Sequence, residues 1–343
     1  MQFDLEYTLD MVKKLMAIDS PSGYTHNIID ELEKIVVAMG FEFSRNQKGN
    51  GIIHVPGKVK SGRALSAHVD TLGFVVRSIT SSGTLKFSLV GGTLMPTADG
   101  EYCFIHTRCG KVYTGTMLST MPAVHVFPEA RTAPRDDKNM EIRLDEMVRS
   151  KEDVQKLGIQ VGDFICLDPK TVITPSGFIK SRFLDDKLSV AMFLGILNMM
   201  KTQGIELEQS AQFLISTYEE VGHGMANIPT DVTEILAVDM GCIGLDLSCT
   251  EYDVSICAKD SGGPYDYGMT SKLIELAKRE QLNYAIDIYP FYGSDAGAAL
   301  RAGNDVKGAL IGAGVAASHG MERSHIQGVE NTMKLIMAYL QSE

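Results

Sequence analysis

Apolar residues recur at helical spacing near the start of the chain, at Leu5, Leu9, Val12, Leu15 and Met16, and Pro21 and Gly23 close that segment. A second run, Ile28, Ile29, Leu32, Ile35, Val36 and Met39, predicts a helix that stops at Gly40. Short β-branched stretches follow over residues 51–55, 63–67 and 72–79. From Ser78 to Val172 the pattern changes. Strand-length pieces over 84–90, 102–106, 111–117, 141–144 and 163–167 are separated by glycine and polar turns, and only 151–157 reads as a helix. The charged, proline-containing stretch 128–139 reads as an exposed or mobile loop. After Phe178 the elements alternate: helix 186–200, strands 211–217, 235–240 and 254–258, helix 267–280, strands 285–289 and 306–311, and a terminal helix over 330–340. Such alternation predicts an α/β fold, a mixed, mostly parallel sheet with helices on both faces. The expected organisation is one α/β domain built from residues 1–77 and 173–343, interrupted by a β-rich insertion over 78–172.

Charge narrows the partners. Lysine and arginine total 32 against 43 aspartates and glutamates, a net charge of −11. Phosphate backbones and anionic lipid would repel such a chain, so neither nucleic acid nor a membrane surface is expected as a partner. The surplus carboxylates are instead available as oxygen ligands for cations. The longest apolar run, 189–200, falls short of the roughly 20 residues that span a bilayer, and the amino terminus lacks the basic and apolar regions of a secretory signal. Six cysteines without a C-x-x-C pair suit free thiols in a reducing cytoplasm. The absence of tryptophan counts against a polysaccharide groove.

Five segments carry candidate chemistry. In Ser66–Asp70 the strand period puts His68 and Asp70 on one face, where the aspartate could fix the tautomer of a ligating imidazole. Asp185 and Asp186 precede a strongly apolar helix; an N-cap accounts for one of them better than for the pair. Glu219 and Glu220 follow a buried strand, at the edge of the sheet where open α/β folds bind ligands. Asp239 ends another apolar strand, and His319 and His325 lie close together near the carboxyl terminus. Imidazoles mixed with carboxylates suit zinc, cobalt or manganese better than calcium or an iron–sulfur centre. Two further patterns mislead. Gly312-Ala313-Gly314-Val315-Ala316-Ala317 fits a dinucleotide fingerprint, but too few residues follow for the required helix, strand and acid. Gly293-Ser294-Asp295-Ala296-Gly297 has the rhythm of a nucleophile elbow with aspartate in the centre, and reads as a tight loop lining the site.

Taken together, the motifs resemble the tetrahedral and glutamyl aminopeptidase family, metallopeptidase family 42, some of whose members have been labelled endoglucanases. The resemblance covers His68-Val69-Asp70-Thr71-Leu72-Gly73-Phe74, Leu157-Gly158-Ile159-Gln160-Val161-Gly162-Asp163, Leu184-Asp185-Asp186-Lys187, Glu219-Glu220-Val221-Gly222, Asp239 and Gly293–Gly297, in order and nearly end to end. It implies two divalent ions per subunit, zinc first, with cobalt or manganese as alternatives. Asp185 would bridge them, His68 and Asp239 would complete one site, and Glu220 and His325 the other. Glu219 would be the general base and Asp70 would orient His68, with Gly293, Ser294 and Asp295 on the substrate side. The chain departs from the family pattern at Thr71-Leu72, at His223-Gly224-Met225-Ala226 and over Ser318–His325, which leaves His319 as an alternative to His325. These departures resemble a subgroup that accompanies osmoprotectant-peptide genes.

The implied activity is a cytoplasmic aminopeptidase acting on short peptides. By the same resemblance, the β-rich insertion would mediate dimerisation within a homo-oligomer, extending to a twelve-subunit tetrahedral shell. The alternatives are a related two-metal amidohydrolase, acting as carboxypeptidase or deacylase, and a non-catalytic binding protein on the same fold. A glycoside hydrolase would leave the histidines without a purpose.

Overall fold

The computed structural model describes residues 2–342. Helices α1 (Leu5–Met16) and α2 (His26–Met39) open the chain, followed by strands β1 (Glu42–Arg45), β2 (Gly51–Val55) and β3 (Gly57–His68). Next come β4 (Gly73–Ile79), β5 (Leu85–Val90), β6 (Tyr102–His106), β7 (Val112–Ser119), β8 (Met140–Leu144), α3 (Lys151–Leu157) and β9 (Phe164–Leu167). The chain returns through β10 (Val172–Ile173), β11 (Phe178–Ser181), α4 (Leu184–Gln203), β12 (Leu207–Ser216), β13 (Glu234–Cys242), β14 (Val254–Asp260) and β15 (Gly263–Pro264). It ends with α5 (Tyr267–Arg279), β16 (Tyr284–Ile288), α6 (Asp295–Arg301), β17 (Lys307–Val315), β18 (Glu322–His325) and α7 (Ile326–Leu340).

The local signals act as the residue types dictate. The Asp4 carboxylate accepts from the Tyr7 amide to start α1, and Gly40, at φ 92°, ends α2 in the left-handed region that only glycine enters freely. Helix α4 has no polar stripe. Most of its length is buried, because it runs against the central sheet with α1 and α7 beside it.

Nine strands form that sheet, in the order β1-β2-β12-β3-β13-β17-β14-β15, with β16 paired to β14. The pairs β12–β3, β3–β13 and β13–β17 are parallel, and antiparallel pairing is confined to the two flanks. The α/β fold with a mixed, mainly parallel sheet is therefore as the pattern predicts. Strands β4-β5-β8-β7-β6-β9 close into a separate antiparallel barrel. Its first strand begins ahead of Ser78 and its last ends ahead of Val172.

Some segments differ from the sequence expectation. The charged stretch 128–139 lies largely at the surface, as expected, but it contains a 3-10 turn and is tied down: Arg135 Nε donates to Asp99 Oδ2 at 2.8 Å and Arg77 Nη1 to Asp137 Oδ2 at 2.8 Å. The loop expected around Gly293–Gly297 begins helix α6, whose first turn is capped by the Ser294 hydroxyl accepting from the Gly297 amide at 3.2 Å. Strands β1, β10, β11 and β18 have two to four residues each and are too short to carry a periodic signal. Gly312 lies inside β17, where a Cβ would come 2.0 Å from the Asp239 carbonyl oxygen. The glycine serves close strand approach, and no phosphate-binding turn forms there.

Candidate metal centre

The parallel strands converge on one cavity of about 710 Å³, whose lining includes Asp185, Glu219, Glu220, Asp239 and His319. His68 is the last residue of β3, Asp239 sits late in β13, and Glu219 and Glu220 form the turn after β12. All three strands deliver their carboxyl ends to the same edge, as parallel pairing requires. Asp185 stands at the non-helical start of α4, where the Asp185–Asp186 peptide is cis. Phe183 at φ 65° and His319 at φ 63° are held in the left-handed region beside it, a conformation that non-glycine residues keep only where their surroundings enforce it.

Asp185 is the centre of the cluster. Its Oδ1 lies 3.1 Å from His68 Nε2, and its Oδ2 lies 3.6 Å from His319 Nε2. On one side, donor atoms of His68, Glu219 and Asp239 fall within 4.8 Å of one another; on the other, those of His68, Asp185 and Glu220 do so. His319 Nε2 is 3.5 Å from Glu220 Oε2.

His325 does not join them, contrary to the expectation that it supplies the last ligand. It caps α7, its Nδ1 accepting from the Gln327 amide at 3.1 Å, and its Nε2 lies 2.8 Å from the Ser176 carbonyl oxygen. The reason is the short strand β18. Its pairing with β11 sets His325 opposite Phe178 and turns it away from the cavity, while the loop after β17 presents His319.

Asp70 meets the His68 ring, as its spacing suggests, but mainly through its backbone oxygen. His68 Nδ1 lies 2.9 Å from the backbone oxygen of Asp70 and 3.6 Å from its carboxylate. That carboxylate accepts from the amides of Glu219 and Glu220, at 3.1 and 3.2 Å, and from the Ser22 hydroxyl at 2.5 Å. Asp70 therefore holds the glutamate turn in place. Gly293 and Ser294 line the cavity, whereas the Asp295 carboxylate accepts from the Met225 amide at 2.9 Å and the Ser216 hydroxyl at 3.4 Å, outside the lining.

Sequence reasoning missed Glu322. Its buried carboxylate accepts from the Asp185 amide at 3.1 Å and the His319 amide at 3.0 Å, fixing two members of the cluster at once. The lone acid of Met321-Glu322-Arg323 gave no signal, because its partners are backbone amides, one of them 137 residues away. Asp186, which the sequence did single out with Asp185, also holds a backbone group: its Oδ2 accepts from the His68 amide at 3.1 Å.

So many buried carboxylates repel one another. Burial, then Asp239, Asp295 and Asp185, push Glu219 well above its ordinary pKa; burial, then Asp185 and Glu219, do the same to Glu220. Burial and Asp185 push Asp239 up to about 7. Burial opposes the charged form of Asp185 as well, yet the His319 and His68 imidazoles hold it below the usual carboxylate range. Burial disfavours a charged His68, but the surrounding acids outweigh it and raise the imidazole well above its usual value. The residues fit divalent cations: the donors are imidazole nitrogens and carboxylate oxygens, and Glu220 Oε1 is buried with no hydrogen-bond partner among the described residues. A cation would neutralise the excess negative charge that otherwise drives these acids to bind protons.

Comparison with known proteins agrees with this geometry. The sequence signature of the M42 glutamyl aminopeptidases matches residues 49–335. YhfE of Bacillus subtilis (strain 168) is 48% identical over 337 residues, covering 98% of this chain and 97% of that protein. The glutamyl aminopeptidase of Lactococcus lactis subsp. cremoris (strain MG1363) is 25% identical, over 88% of this chain and 87% of its own. Among solved structures, the TET aminopeptidase of Thaumarchaeota archaeon SCGC AB-539-E09 superposes with a TM-score of 0.88 at 20% identity, covering 97% and 96% of the two chains, which attests the shared fold. The signature spans most of the chain and YhfE matches nearly all of it, so the chain belongs to the M42 glutamyl aminopeptidase family, whose members are metallo-aminopeptidases.

Proposed function

We propose that the protein removes amino-terminal residues from short peptides, using two divalent ions and Glu219 as general base. The observation that carries this reading is the placement of Asp185, whose two oxygens face different imidazoles. On that basis His68 and Asp239 would hold one ion, Glu220 and His319 the other, and Asp185 both. Ions bound there would supply Lewis acidity toward the peptide carbonyl and make a water easier to deprotonate near neutral pH.

The remaining steps belong to the chain. Glu219, its amide anchored on Asp70, takes a proton from the attacking water and passes it to the leaving amine. Asp70 and Glu322 act as positioning residues, the first on the glutamate turn, the second on Asp185 and His319. A free α-ammonium entering this acidic cavity is attracted by its carboxylates, whereas an acylated amine carries no such charge.

The assembly reading rests on the barrel and on the structural relatives. The TET1 peptidase of Pyrococcus horikoshii, at 23% identity and a TM-score of 0.85, is described as forming a tetrahedron or a large octahedral shell. We propose a dimer-based homo-oligomer in which the barrel contributes the dimer contact. The six unpaired cysteines suit a reducing cytoplasm as its setting.

The test is hydrolysis of short peptides, each with a free or an acetylated amino terminus, by protein stripped with chelator and resupplied with zinc, cobalt or manganese. Metal-dependent cleavage of the free-amine peptides alone is expected. Cleavage of the blocked peptides would indicate a deacylase instead, and no cleavage with any metal would remove the peptidase reading. Light scattering tests the assembly: a mass near the 37.4 kDa of one chain would sink it.

A further inference from the structure

A second group of ligating side chains lies away from the catalytic cavity, where the barrel meets the connection between α1 and α2. Asp19 in that connection, His106 at the end of β6 and Cys166 in β9 each offer one donor atom, and the three atoms lie within 4.8 Å of one another. Asp19 Oδ2 is 2.7 Å from His106 Nε2. The Cys166 thiol is 3% exposed and has no hydrogen-bond partner among the described residues. The other ring nitrogen of His106 faces Tyr24, whose hydroxyl is 3.3 Å from Nδ1 and whose ring stacks on Phe164 at 5.4 Å. An outer partner on one nitrogen is what aims the other at a metal and fixes its tautomer. The Lys187 ammonium also lies near the group and donates to the Ile18 carbonyl oxygen at 2.7 Å.

Two simpler accounts fall short. An Asp19–His106 ion pair explains two members and leaves a buried thiol turned toward them without a partner. A cysteine nucleophile activated by histidine would need thiol and carboxylate on opposite ring nitrogens; here the carboxylate holds Nε2, Tyr24 faces Nδ1, and the thiol is too enclosed for a peptide.

We propose that Asp19, His106 and Cys166 bind one zinc-type divalent ion, separate from the catalytic pair, which clamps the barrel to the peptidase domain. One thiolate, one imidazole and one carboxylate form a donor set that zinc accepts, with a water completing four ligands. The Asp19 and His106 side chains are 20% and 11% exposed, so an ion reaches them from solvent, and the thiol proton leaves to solvent as the ion binds. The clamp acts on a functional segment. Ser20 and Ser22, directly after Asp19, donate to the Val69 carbonyl at 2.7 Å and to the Asp70 carboxylate at 2.5 Å. Fixing Asp19 therefore steadies the backbone that carries His68 and the turn that carries Glu219.

The experiment compares the full chain with C166S and H106A, each stripped and reloaded with zinc or cobalt. C166S exchanges only sulfur for oxygen, which protects the comparison from misfolding in H106A. Metal content of C166S is expected to fall one equivalent per subunit below that of the unaltered protein. A near-ultraviolet thiolate-to-cobalt charge-transfer band is expected in the unaltered protein and should vanish in C166S. Because the readout is a difference between chains with the same catalytic cluster, it holds whether or not that cluster performs the proposed reaction. Equal metal content in the two proteins, or a band that survives in C166S, would overturn the assignment and leave an ion pair only.

Discussion

His319 and His325 are six residues apart in sequence and do different work, because β18 turns one away from the cavity as the preceding loop presents the other. H319A is expected to lose one equivalent of bound metal and most activity. H325A is expected to keep both and to lose about 1 kcal/mol of stability through the helix cap it supplies. Metal analysis, steady-state kinetics and urea unfolding separate the two variants. E219Q removes the proposed proton acceptor while its backbone amide still reaches Asp70. It should lower kcat by roughly 10²–10⁴-fold with metal content unchanged; full activity in E219Q would dismiss Glu219 as the base. At this scale the sequence was informative wherever donors sit at strand ends, as His68, Glu219, Glu220 and Asp239 do. It was silent on Glu322, and the spacing of Asp70 pointed to His68, which its backbone oxygen meets, without showing that its carboxylate also serves two distant amides.

Helix α4 shows how an element is specified by what covers it. Its apolar residues run all round, and the structure buries them between the sheet, α1 and α7. Phe193 is fully buried, with its ring centroid 4.7 Å from that of Phe213 in β12. F193A is expected to cost about 3–5 kcal/mol, read as a lower urea midpoint at unchanged slope. A shift below 1 kcal/mol would mean that the site collapses around the cavity. The long helices were legible because they repeat a period several times. The short strands β10, β11 and β18 exist through their partners, and four residues do not repeat a period often enough to be read. The register of β18 against β11 is nevertheless what sends His325 away from the cavity and Glu322 into the cluster.

For the molecule as a whole, the proposed cation binding would be linked to folding. Candidate ligands of the cluster come from β3, α4, the turn after β12, β13 and the loop before β18, so an ion bound to the assembled site would stabilise the arrangement of the entire sheet edge. Removing the metal with a chelator is expected to lower the thermal midpoint. The loss is about 4 kcal/mol per ion when the free metal stood at 1,000 times its dissociation constant. Restoring zinc should reverse it, and an unchanged midpoint would mean that the cluster binds no ion in the folded state. The sequence by itself determined the α/β alternation, the β-rich interruption, the acidic balance and most of the residues that meet in the cluster, because these follow from local periodicity and residue chemistry. Only the tertiary structure decided which histidine meets Asp185, which carboxylates hold backbone amides, and that Asp19, His106 and Cys166 share one point. Such contacts join residues tens to more than a hundred positions apart, and side-chain direction there is set by strand register and packing, which no local pattern encodes.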